Sequence, residues 1–97
     1  MDLSPRLAAI VKALPLWEGI RVLEIGCGPG ASARETAKRI GNGYILGIDR
    51  SSKAIRLALE SAPVEIASGK LSFQQIAIED FELPAGVPLF DLAFAGR

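Results

Sequence analysis

VLEIGCGPG, residues 22–30, sets a short apolar run directly against three glycines at alternate positions, Gly26, Gly28 and Gly30. Val22, Leu23 and Ile25, interleaved with Glu24, predict a strand from about Ile20 to Ile25. Glycine takes positive φ and lets a ligand approach with no Cβ in the way. A strand running straight into such a loop, with a helical pattern behind it, is the arrangement that receives a nucleotide-like ligand.

The helical pattern follows at once. Ala33, Thr36, Ala37 and Ile40 fall on one side of a helix over roughly residues 31–40, with Arg34, Glu35, Lys38 and Arg39 mostly toward solvent. Gly41-Asn42-Gly43 stops it. Tyr44 to Ile48 reads as a second strand ending at Asp49, apolar enough for a parallel strand covered on both faces. Ser51 or Ser52 caps a third helical stretch with Ile55, Leu59 and Ala62 as its buried stripe. Pro63 closes that stretch, with VEIASG as an irregular turn. Leu71 to Ile78 and Leu89 to Ala95 are expected as the third and fourth strands. Upstream, Ser4-Pro5 opens a short helix carrying Leu7, Ile10, Val11 and Leu14, which Pro15 ends. Trp17 is expected as a packing anchor over the sheet edge. The alternation predicts an α/β fold, a Rossmann-like three-layer sandwich with a mainly parallel sheet, truncated to about four strands.

The bulk composition narrows the function classes. Ninety-seven residues, 49% hydrophobic and 23% charged, fit one soluble globular domain over 1–97. Eleven basic and eleven acidic residues cancel, so no charge bias points to nucleic acid or an anionic membrane. One cysteine and no histidine exclude an intrachain disulfide and a Cys/His zinc site. The first residues lack the layout of a signal peptide, and no apolar run approaches membrane-spanning length, so a cytoplasmic location is expected. Proton transfer within this chain would fall to carboxylates, Lys, Tyr44, Cys27 or water.

Three places carry candidate chemistry. The loop amides and the following helix N-terminus predict an electropositive seat for a carboxylate or phosphate, and Glu24 adds the opposite sign beside it. That pair suits a zwitterionic amino-acid end. Asp49, twenty-one residues after Gly28 and at the next strand end, can accept hydrogen bonds from the vicinal hydroxyls of a ribose. Cys27 invites a nucleophile reading, but no histidine exists to serve as its base. Asp91 is taken as structural.

These features resemble the class I S-adenosylmethionine-dependent methyltransferases over about residues 18–95. VLEIGCGPG is similar to that family's first motif, and GIDRS, residues 47–51, to its second. FDLAFA, residues 90–95, looks like its fourth strand. The resemblance implies S-adenosylmethionine as cofactor, with Glu24, Gly26, Cys27, Gly28 and Gly30 toward the methionine end and Asp49, with Arg50 beside it, at the ribose. The third motif matches less well, because IAIEDF puts Ala77 where an acidic residue commonly meets the adenine amino group. Either Glu79 or Asp80 takes that role, or backbone and apolar contacts from Ile78 and Phe81 hold the ring.

The resemblance implies methyl transfer to an acceptor, and no acceptor motif or catalytic residue follows the fourth strand. The family sheet has seven strands, of which four are written here. The domain is therefore expected to be incomplete at its C-terminus, part of a longer protein, or paired with a second copy through the fourth-strand edge. Two rivals stand beside the leading reading. One is a non-catalytic binding or interaction module of the same fold. The other is a NAD-binding oxidoreductase fragment, since Gly26-x-Gly28-x-x-Ala31 satisfies G-x-G-x-x-A, although Glu24 would repel a pyrophosphate.

Overall fold

Strands β1 (Arg21–Ile25), β2 (Tyr44–Asp49), β3 (Leu71–Gln75) and β4 (Leu92–Ala95) lie side by side, all parallel, in the order β3-β2-β1-β4. The computed structural model describes residues 3–96, and among these the sheet is a single one. Helices α1 (Pro5–Ala13), α2 (Ala31–Ala37), α3 (Ser52–Ser61) and α4 (Pro63–Ala67) complete the expected alternation.

The two-residue period of the strands sorts their side chains onto two faces. Ile20, Val22, Ile45 and Leu71 point to one, where Ala33, Ala37, Ile40 and Ala62 from the helical segments meet them in a fully buried cluster. Leu23, Leu46 and Ile48 point to the other, against Ile76, Phe81 and Phe90. Helices cover the first face. The second is covered by the loop between β3 and β4, whose Phe81 and Phe90 rings lie 6.4 Å apart.

The first helix starts as its sequence dictates. Ser4 Oγ accepts from the Leu7 N–H at 3.2 Å and Pro5 occupies the first turn, where its missing N–H costs nothing. Ser51 caps α3 in the same way, through the Ala54 N–H at 3.1 Å. Asp91 proves to be structural, as expected. Its carboxylate accepts from the Arg21 N–H at 2.9 Å, and its own N–H donates to the Arg21 carbonyl at 2.8 Å, which sets β4 in register against β1.

Several expectations need correction. Regular α2 ends at Ala37 although Ile40 is fully buried, because Lys38 and Arg39 bond three residues back and tighten the last turn. Leu59 is 45% exposed, and the buried stripe of α3 runs Ile55, Ala58, with Ala62 beyond it. Ala58 is wholly buried, and the position a Cβ on Gly30 would take lies 3.2 Å from its Cβ. VEIASG is no irregular turn, since Pro63 opens α4 at its first helical position. Trp17 is 54% exposed, while Leu16 packs against the core instead.

The third and fourth strands are shorter than their apolar runs. β3 stops at Gln75 because its partner β2 stops at Asp49; the Ile76 N–H takes the Asp49 carbonyl and the ladder has nowhere further to go. Ile78–Asp80 then form a 3-10 turn. β4 begins at Leu92, and Leu89, expected within it, is exposed. Among the described residues β4 is an edge of the sheet, as expected from the family order.

Candidate functional site

The glycine loop is shaped by hydrogen bonds to β2. The Gly26 and Cys27 N–H groups both donate to the Ile48 carbonyl, at 2.8 and 2.9 Å, and Gly30 N–H donates to the Cys27 carbonyl at 3.1 Å. Gly26, Gly28 and Gly30 have φ of 73°, 55° and 94°, all in the left-handed region, so the turn needs glycine at each. Of the anion seat expected from the loop amides and the start of α2, the loop's share is corrected: the Gly26, Cys27, Gly28 and Gly30 N–H groups donate within the protein.

Asp49 joins the loop to the second strand end. Its Oδ2 accepts from the Gly28 N–H at 2.8 Å and its Oδ1 from the Ser51 N–H at 2.9 Å. Two backbone donors thus fix the carboxylate, while each oxygen keeps lone-pair capacity for a further donor. It faces a cavity of about 210 Å³ at the carboxyl ends of β1, β2 and β3, lined by Ile25, Gly26, Ile48, Asp49, Arg50, Ile76, Ala77, Ile78 and Glu79. Ligands of open α/β sheets enter at this end of the strands. The volume is below the roughly 300–1,000 Å³ typical of whole small-molecule sites, so it suits one end of an extended ligand.

Of the residues singled out from sequence, the cavity brings together Gly26, Asp49, Arg50 and Glu79, with Ala77 and Ile78 from the divergent third motif. The others lie elsewhere. Cys27 is buried and turned onto the sheet, its Cβ 2.9 Å from where a Cβ on Gly47 would stand. Gly30 backs onto Phe73 and Ala58. Asp80 is exposed within the 3-10 turn, and Phe81 packs outside the cavity against the cluster of Leu23, Leu46 and Ile48. Glu24 is wholly buried beneath the loop, where its Oε2 accepts a hydrogen bond from the Ser32 hydroxyl. Sequence reasoning did not name Ile25, Ile48 and Ile76 as cavity walls, nor Ser32 as the partner of Glu24. The three isoleucines follow from a simple signal, being the last apolar residue of each strand or the first beyond it.

Comparison with known proteins decides the family. The family model described as a methyltransferase domain matches residues 22–96, from the first residues of β1 to the end of β4. The chain belongs to the class I S-adenosylmethionine-dependent methyltransferase family. Among relatives of this methyltransferase domain, the ubiquinone biosynthesis O-methyltransferase of Alkalilimnicola ehrlichii is 33% identical over 92 residues, covering 93% of this chain and 35% of that protein. An S-adenosylmethionine-dependent methyltransferase from Mesorhizobium loti superposes with a TM-score of 0.73 at 26% identity, over 95% of this chain and 40% of that one. The plantazolicin methyltransferase BpumL, solved with S-adenosylhomocysteine, gives a TM-score of 0.64 at 25% identity, over 78% and 26% respectively. The chain spans about a third of the length of the curated relatives it matches.

The residues present fit the cofactor of this methyltransferase family. A flat adenine suits walls of isoleucine, and a vicinal diol suits a carboxylate already held by two amides. Among the described residues no helix is long and apolar enough to cross a membrane.

Proposed function

We propose that the chain is the cofactor-binding part of an S-adenosylmethionine-dependent methyltransferase. The supporting observation is the Asp49 carboxylate, oriented by the Gly28 and Ser51 amides at the wall of the strand-end cavity. In this reading Asp49 accepts from both ribose hydroxyls, Ile76 and Ile78 contact the adenine faces, and Glu79 accepts from its amino group. Arg50 borders the same cavity. The methionine end crosses Gly26 and Gly28, whose lack of a Cβ permits close approach.

When bound, S-adenosylmethionine supplies an electrophilic methyl group on a sulfonium sulfur. A nucleophilic atom of the acceptor forms its bond to that carbon as the carbon–sulfur bond breaks, with the electron pair returning to sulfur. Positioning dominates the rate of such in-line displacements. The task of this chain is accordingly to hold the adenosine and amino-acid ends so that the methyl group faces the acceptor. A cytoplasmic location belongs to the same proposal; it is supported by a single cysteine that is buried and in no disulfide, as reducing compartments favour.

Isothermal titration with S-adenosylhomocysteine, S-adenosylmethionine and NAD tests the reading. Both sulfur ligands are expected to bind at least about tenfold more tightly than NAD, a difference of roughly 1.4 kcal/mol. Preference for NAD would overturn the methyltransferase reading in favour of an oxidoreductase. Binding of none of the three would favour an interaction module that keeps the fold without the reaction.

A further inference from the structure

We propose that Ser32 is a positioning residue, whose hydroxyl clasps the buried Glu24 carboxylate and thereby fixes the glycine loop that seats the amino-acid end of the cofactor. The inference rests on the cofactor reading above. Glu24 stands near the end of β1 and Ser32 near the start of α2, so their hydrogen bond joins the two elements on either side of residues 25–31. Both side chains are excluded from water, at 0% and 1% exposure. The Glu24 carboxylate also lies under the end of β4, with Oε2 3.6 Å from where a Cβ on Gly96 would stand.

Burial gives this bond its weight. A carboxylate removed from water is costly unless donors satisfy it, and a bond to a charged group is worth about twice one between neutral groups. The amides of Gly26, Cys27 and Gly28 tie the outside of the loop to β2. The Ser32–Glu24 bond ties its two ends to each other. Loop curvature is thus set from both directions, and the clasp controls the half that faces away from Asp49. Removing it should loosen the amino-acid seat while the ribose seat stays fixed.

The test uses two ligands that differ at that end, S-adenosylhomocysteine and adenosine, titrated into the wild-type protein and into Ser32→Ala, Ser32→Cys and Ser32→Thr. Ser32→Ala and Ser32→Cys should lower affinity for S-adenosylhomocysteine about tenfold and for adenosine by no more than about twofold, the scale of one charge-assisted bond. Ser32→Thr, which keeps the hydroxyl, should stay within about threefold of wild type for both. Amide hydrogen exchange without ligand supplies a second readout: in Ser32→Ala, Cys27 and Gly28 should exchange about tenfold faster relative to Leu46 at the centre of β2. Should Ser32→Ala fail to fold, Ser32→Cys, close in shape but a weaker donor, decides by the same two readouts. Equal weakening of both ligands, unchanged affinity, or unchanged loop exchange would overturn the clasp. A wild-type protein that binds neither ligand overturns the cofactor reading instead, and loop exchange still decides the clasp.

Discussion

Replacing Asp49 with alanine is expected to weaken S-adenosylhomocysteine and S-adenosylmethionine alike, by about 100-fold, while two bonds to a charged acceptor worth roughly 1.5–3 kcal/mol each would set a still larger upper bound. The upper bound is not reached because water replaces part of what the ribose loses. The variant also leaves the Gly28 N–H without its acceptor at 2.8 Å, so the loop itself relaxes. Asp49→Asn separates the two contributions. Its amide oxygen can still receive one backbone N–H, so the loop should hold while affinity falls by an intermediate amount, about tenfold. Calorimetry on the three proteins checks the series. A loss of less than about threefold in Asp49→Ala would mean that the ribose is held elsewhere.

The second large effect concerns folding. Gly43 passes between the ends of two elements, and a Cβ there would stand 2.3 Å from the Ile20 carbonyl oxygen and 2.9 Å from that of Ile40. Both obstacles are backbone, and both carbonyls are in use: Ile20 accepts from Tyr44 N–H at 3.0 Å, and Ile40 from Gly19 and Gly43 N–H at 2.8 Å each. No rotamer change relieves that clash. Gly43→Ala is therefore expected to cost about 3 kcal/mol or more, at or beyond the upper end for overpacked sites. For a domain of this size that lowers the melting temperature by roughly 12–24 °C. Gly69→Ala is the control. Its φ of +81° strains any side chain, but nothing lies within 4 Å of the added carbon, so only about 1–2 kcal/mol should be lost. Thermal melts followed by circular dichroism distinguish the two, and equal destabilisation would remove the steric explanation.

The sequence made the centre of this molecule legible because several local signals agree there. Val22 to Ile25 carry strand periodicity, the glycines demand positive φ, and Asp49 falls at the adjacent strand end; each constrains the others, and the structure joins Gly28 to Asp49 directly. The misplaced boundaries share one physical cause. Hydropathy reports that a residue seeks burial, whereas strand length depends on whether a neighbouring strand is still present to pair with. Ile76 and Ile78 continue the apolar run of the third strand, yet β2 has already turned into the Ser51 cap. Leu89 is apolar, but the ladder with β1 begins at Leu92. Side-chain partners across space were not legible either. Nothing in the spacing of Glu24 and Ser32 announces that a helix residue will satisfy a strand carboxylate, nor that Trp17 will yield its core position to Leu16. The loop amides were expected to help seat an anion, and those of Gly26, Cys27 and Gly28 instead fasten the loop to β2.

The strand-end cavity draws every one of its walls from β1, β2, β3 and the residues just beyond them, and none from β4. On the proposed reading, the adenosine end of the methyl donor is thereby held on one flank of the sheet. Under that proposal, substitutions along β4 leave the adenosine cavity intact, and only its last residues, over the buried Glu24 carboxylate, reach the amino-acid end.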